Sequence, residues 1–115
     1  MAKPDVEIQN LSKSCNEALI LTALAEGPRH GYQLALDIAE RSDGSFGFRH
    51  GTLYPILHKL EKDGLIAGTW SEEGPRGRRK QYALTDSGST YAAAQRASWR
   101  NFVAHLLAVI GREEA

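Results

Sequence analysis

Between His50 and Ile66 the apolar residues Leu53, Ile56, Leu57 and Leu60 recur at steps of three and four, and hydrophilic residues fill most of the gaps. That spacing sets four aliphatic side chains on one side of a helix, which goes to a core. Thr52 is placed to cap the start, and Pro55 falls in the first turn, where a missing N–H removes no intrahelical bond. Gly64 supplies a left-handed stop, with Leu65 packing back on Leu60. About half a circle from the stripe, at roughly 100° per residue, lie Gly51, Pro55, His58 and Lys62, flanked by Tyr54 and Lys59. No large aliphatic side chain stands among them. Such a face is either plain solvated surface or a recognition surface, and the segment downstream of Ile66 favours the second.

After the helix, Ile66–Glu73 has the pattern of a strand, Gly74-Pro75-Arg76-Gly77-Arg78-Arg79 that of a turn, and Lys80–Leu84 that of a returning strand, with Trp70 as a core or sheet residue. Before it, a mostly buried helix runs from about Ser14 to Glu26 through Ala18, Leu19, Leu21, Thr22, Ala23 and Leu24, and stops at Gly27-Pro28. A second begins near His30-Gly31-Tyr32, carries Leu34, Ala35, Leu36, Ile38 and Ala39, and ends by Ser42-Asp43-Gly44-Ser45. Phe46 and Phe48 alternate with glycines in the connection and are expected to lid the core. Beyond the hairpin, Thr85-Asp86 caps a helix from about Ser87 to Gly111, whose Tyr91, Trp99, Phe102, Val103, Leu106, Leu107 and Ile110 keep to one stripe. The order helix, helix, loop, helix, strand, turn, strand, helix predicts a mainly α fold with a small β-hairpin. It divides into an arm or short helix over residues 1–13, a winged helix-turn-helix domain over 14–85 and a long C-terminal dimerisation helix over 86–115.

Charge sharpens this picture only when it is mapped. Lysines and arginines number 14 and so do the acids, so the formal net charge is zero, and the bulk signal of a strongly basic nucleic-acid binder is absent. Arg76, Arg78, Arg79 and Lys80 nevertheless fall in the turn and the start of the returning strand with no acid between Gly74 and Lys80. Guanidinium groups on such a turn suit phosphate oxygens or a narrow minor groove. A solubilising loop is the plainer alternative, and the recognition-like helix immediately upstream weighs against it. A domain of roughly seventy residues has too little surface to cover a terminal helix of more than six turns, so part of its stripe needs a second chain.

Chemistry other than binding finds little support. His30, His50, His58 and His105 are scattered, and with the single Cys15 they make no familiar metal-ligand spacing; no metal, cofactor or catalytic residue is expected. No phosphate loop or nucleophile motif is present. The apolar stretches Ala18–Ala25 and Phe102–Ile110 are too short or interrupted to span a bilayer, and residues 1–7 lack a secretory core, so a cytoplasmic protein without a membrane role is expected.

Four segments in order carry a family resemblance: Leu24-Ala25-Glu26-Gly27-Pro28-Arg29-His30-Gly31-Tyr32, Gly51-Thr52-Leu53-Tyr54-Pro55-Ile56-Leu57, Leu60-Glu61-Lys62-Asp63-Gly64-Leu65-Ile66 and Arg79-Lys80-Gln81-Tyr82-Ala83-Leu84-Thr85-Asp86-Ser87-Gly88. The chain resembles the PadR-like winged-helix transcriptional regulators, specifically short members with a single C-terminal helix. The resemblance implies a homodimeric, double-stranded-DNA-binding repressor, often released from its operator by a small molecule. It assigns Thr52, Tyr54 and Pro55 to the start of the DNA-facing helix, His58, Lys59 and Lys62 along it, and Arg76, Arg78, Arg79 and Lys80 to the wing. Tyr54 stays divided between core and phosphate, and His58 between base edge and solvent. Trp99, Phe102, Val103, Leu106, Leu107 and Ile110 form a dimer interface or, at the rings, a cavity for a small aromatic or apolar effector. A winged helix that turns its basic wing on an acidic protein is the rival function.

Overall fold

The structure, a computed structural model, describes residue 6, residues 8–71 and residues 78–111. A single 3-10 turn, Ile8–Asn10, leads into α1 (Leu11–Leu24); after it come β1 (Arg29–His30), α2 (Gly31–Arg41), α3 (His50–Lys62), β2 (Ile66–Ser71), β3 (Arg79–Leu84) and α4 (Asp86–Ile110). The first helix begins three residues earlier than its apolar pattern indicates, because Leu11 and Ser12 continue the helix outward from the core.

The core is an aliphatic cluster in which Ile20 and Leu21 of α1, Leu34 of α2, Leu57 and Leu60 of α3 and Ile66 of β2 are almost completely buried. Each contributes about 1.5–3 kcal/mol by leaving water. Leu53 and Tyr82 complete it, whereas Ile56 is only half-buried. Of the two phenylalanines in the connection between α2 and α3, Phe48 packs on the core while Phe46 is 42% exposed, so only one acts as a lid.

The sheet has three strands in the order β1-β3-β2, both pairs antiparallel, where sequence pattern predicts two. Residues 29 and 30 pair with Tyr82 and Gln81, using the free edge of β3. His30 then turns directly into α2, its backbone N–H donating to Gln33 Oε1 at 3.0 Å.

The stop of α3 is the Schellman geometry that Gly64 suggests. Gly64 takes φ +78°, its N–H reaches the Glu61 carbonyl at 3.0 Å, and the Leu65 N–H reaches the Leu60 carbonyl at 3.0 Å. The start differs from expectation. Arg49, not Thr52, holds the N-cap position and no side chain caps it. Pro55 therefore lies inside the helix rather than in its first turn, leaving the Gly51 carbonyl without its usual donor. Both residues are exposed, so water can serve that carbonyl.

Thr85 caps α4 as expected, its hydroxyl oxygen accepting the Gly88 N–H at 3.0 Å. The first half of α4 packs on α1, burying Ala92 and Gln95, and from Val103 to Ile110 every side chain is exposed. The molecule is accordingly elongated, 56 × 31 × 23 Å. Among the described residues no helix is long and apolar enough to cross a membrane.

Candidate nucleic-acid interface

Because Leu53, Leu57 and Leu60 anchor α3 in the core, its opposite side is presented outward. Thr52, Tyr54, Pro55, His58, Lys59 and Lys62 are all exposed on it. Tyr54 stands outside the aliphatic core, partly packed and partly open. Its ring stacks on His50 with centroids 5.1 Å apart and lies over Gly31, where an added Cβ would come within 2.6 Å of the hydroxyl oxygen; 38% of the residue nevertheless remains exposed. The absent side chain at Gly31 thus lets the first turn of α2 meet the first turns of α3. Lys59 holds Asp63 one turn later at 3.1 Å, an exposed pair that is worth little and can open.

The wing cations are less alike than their adjacency suggests. Arg76 lies outside the described residues, as do its neighbours from 72 to 77. Strand alternation sends Arg78, Lys80 and Tyr82 to one face and Arg79 and Gln81 to the other. Arg78 is exposed, and its guanidinium stands 5.0 Å from the centre of the Trp70 ring. Arg79 is exposed at the first position of β3. Lys80 is engaged within the fold: its ammonium contacts Glu61 of α3 at 2.8 Å.

Trp70 is a sheet residue, as expected, but not a core one. It is 52% exposed and pairs across the ladder with Lys80. The hairpin extends past the edge of the core, so the period of two that buries Ile66 leaves Trp70 on the same face in solvent. With Tyr54, Tyr82, Arg78, Arg79 and His30 it borders an open hollow of about 670 Å³ between the wing and the first turns of α2 and α3. Rings and guanidinium groups around a concavity suit a sugar–phosphate strand. Sequence reasoning misses Trp70 and His30 as members of this surface. The parity of Arg78, Lys80 and Tyr82 is the available signal for Trp70; His30 has none, since it arrives through β1.

A second candidate surface is α4. Val103, Leu106, Leu107 and Ile110 are 41–67% exposed, while Trp99 and Phe102 are half-buried and meet edge to face at 5.4 Å. A groove of about 570 Å³ runs between α1, the end of α2 and α4, floored by Leu19, Ile38, Phe46, Trp99 and Val103 with Arg96 and Arg100 among its lining. Trp99 Nε1 and Gln95 Oε1 are buried without a hydrogen-bond partner among the described residues. Among those residues no group of His, Cys, Asp and Glu side chains could hold a metal ion. Cys15 also lines the groove, and burial raises its thiol pKa, which leaves it a poor nucleophile.

Beside the groove, Glu17 of α1 is only 9% exposed, with the Tyr91 hydroxyl 3.5 Å from its Oε1. Burial raises its carboxyl pKa, against the opposing pull of Lys13, Lys59, Gln95 and Tyr91. The unfolded chain then releases this proton first, so folding loses stability as pH rises from the ordinary carboxylate range through the raised value. Glu17→Gln is expected to raise the thermal midpoint at neutral pH and to have no such effect below about pH 4. Circular dichroism melts across that range check it.

Four comparisons bear on this geometry. The model of the Transcriptional regulator PadR-like family matches residues 20–94. The Negative transcriptional regulator PadR of Bacillus subtilis (strain 168) is 33% identical over 69 residues, 60% of this chain and 38% of that protein's length. A solved transcriptional regulator from Clostridium thermocellum superposes with a TM-score of 0.77 at 25% identity, over 88% of this chain and 98% of the other. The crystal structure of Bacillus subtilis PadR in complex with operator DNA superposes with a TM-score of 0.61 at 30% identity, over 67% of this chain and 42% of that one.

Proposed function

The chain belongs to the PadR-like family of transcriptional regulators, and from that premise we propose that it is a cytoplasmic homodimeric repressor that grips a palindromic operator and is released by a small apolar effector. The observation that carries this reading is the outward side of α3: a row of Thr52, Tyr54, Pro55, His58, Lys59 and Lys62 without an aliphatic residue, opposite a fully buried leucine row and beside exposed Arg78 and Arg79. The Bacillus subtilis relative, crystallised with operator DNA and described as a negative regulator, supports both the partner and the sign of regulation.

In this reading α3 enters a major groove, with His58 and Thr52 at base edges and Tyr54, Lys59 and Lys62 toward phosphates. The wing sets Arg76, Arg78 and Arg79 on the neighbouring backbone or minor groove. Pairing through Val103, Leu106, Leu107 and Ile110 offers two α3 helices to successive grooves, about 34 Å apart on one side of the duplex. An effector in the groove at Trp99 would touch α4, the end of α2 and Phe46 in the connection to α3. It could therefore change the spacing of the two recognition helices.

Fluorescence anisotropy with a duplex selected by the protein from a random pool, against its scrambled counterpart, tests the reading. Wild type is expected to prefer the selected duplex with a steep salt dependence. Arg78→Ala/Arg79→Ala is expected to reduce the log–log salt slope by about 0.9 per lost phosphate contact, or nearly two units. Equal, weak binding to both duplexes would sink the DNA reading in favour of an acidic protein partner.

A further inference from the structure

Glu61 stands in the last turn of α3, on the side turned toward the hairpin. Its Oε1 accepts from Lys80 Nζ at 2.8 Å, and both side chains are about one-quarter exposed or slightly more, 25% for the lysine and 30% for the glutamate. The same carboxylate lies against Gly68 of β2, its Oε2 3.2 Å from where a Cβ would stand, and the Gly68 N–H helps to hold the Glu61 pKa down. One side chain of the recognition helix thereby touches both strands of the wing. Gly68 makes this possible by having no side chain, because a Cβ there would collide with the stem of Lys80. The lysine lies across β2 with its ammonium 5.6 Å from the Trp70 ring centre and 5.5 Å from that of Tyr82. Each partner is also the leading influence on the other's proton, lowering the Glu61 pKa and raising that of Lys80.

We propose that Glu61 and Lys80 are positioning residues for DNA binding, a strut that fixes the wing at one angle to α3, and that Lys80 is not a phosphate ligand. This rests on the DNA-binding reading above. The need for a strut comes from the topology. The hairpin hangs from α3 by Gly64 and Leu65, and its outer part, where Trp70 and Arg78 stand, lies beyond the core. Without a cross-brace, the hollow between Arg78 and Tyr54 would vary in width, and ordering it would fall on the binding step. The strut settles that width beforehand.

The charge of the pair gives a test whose two readings differ in sign. Glu61→Gln frees a cation beside the DNA. If Lys80 were a phosphate ligand, affinity would stay level or rise. For a strut, affinity for the selected duplex is expected to fall about tenfold with the wild-type salt slope. Reversing the pair in Glu61→Lys/Lys80→Glu is expected to restore affinity to within about threefold of wild type. In a parallel measurement without DNA, the Gly68 amide resonance is expected to follow a carboxyl titrating below the ordinary range in wild type and to lose that step in Glu61→Gln. Unchanged or tighter binding by Glu61→Gln, a Lys80→Gln variant whose salt slope drops by about 0.9, or a Gly68 amide indifferent to pH would each overturn the strut. Failure of the DNA reading shows separately, as wild type that does not distinguish the selected duplex from the scrambled one.

Discussion

Alanine at position 88 is expected to lower the thermal midpoint by roughly 10–20 °C, taking an overpacking cost of about 3 kcal/mol for a domain of this size. The sign opposes helix propensity, which favours alanine over glycine inside a helix by about 1 kcal/mol. Gly88 is in the first turn of α4 and its backbone rests on the Leu65 carbonyl, so that an added Cβ would overlap that oxygen. Neither side can yield freely. The Leu65 carbonyl already accepts the Thr85 N–H at 3.1 Å, the Leu65 N–H closes the end of α3, and the Thr85 hydroxyl donates to the Gly64 carbonyl at 2.7 Å. Three elements meet here: the end of α3, the start of the wing and the start of α4. Circular dichroism melts of Gly88→Ala decide the point, and a midpoint equal to or above wild type would mean that the junction relaxes.

Leu107→Glu/Ile110→Glu is expected to leave the protomer folded, to convert the protein to a monomer, and to weaken binding to a palindromic duplex roughly a hundredfold or more. In the single chain these two side chains are 52% and 67% exposed, so charges there disturb no core. In a dimer they would be buried as unpaired carboxylates, which association cannot accommodate. A monomer binds each half-site independently and loses the high effective concentration that linkage supplies. Light scattering after size exclusion gives the mass, and anisotropy gives the affinity. A dimer of unchanged mass would move the interface off this stripe.

Most of the fold is legible in the sequence because most of it is local. The stripes of α1, α2, α3 and α4 come from spacing within each segment, and so do the Gly64 stop and the Thr85 cap. The start of α3 is one exception, because Thr52 is a good capping residue two positions inside a helix that begins uncapped at His50. Pro55 loses its place in the first turn for the same reason.

At the candidate interface, the α3 face is readable from the wheel, since burial of one side exposes the other. The wing is readable only as a cluster of charge. Arg78, Arg79 and Lys80 are consecutive in sequence, yet one lies over an indole, one stands exposed on the opposite face and one is held by a carboxylate from α3. Trp70 reads as a core or sheet residue, a choice left open because size and hydrophobicity are sequence properties, whereas the edge of a core is not.

By itself, then, the sequence determined the helices, their buried sides and the two strands of the hairpin, because periodicity and capping act over a few residues and need no distant partner. Only the tertiary structure decided that residues 29 and 30 form a strand, that Lys80 pairs with Glu61, that Trp70 faces solvent over Arg78, and that Gly88 must remain bare against Leu65. Each of these depends on atoms brought together from separate elements. Contacts of that kind are set by how the packed elements meet, and the order of residues along the chain does not encode them locally.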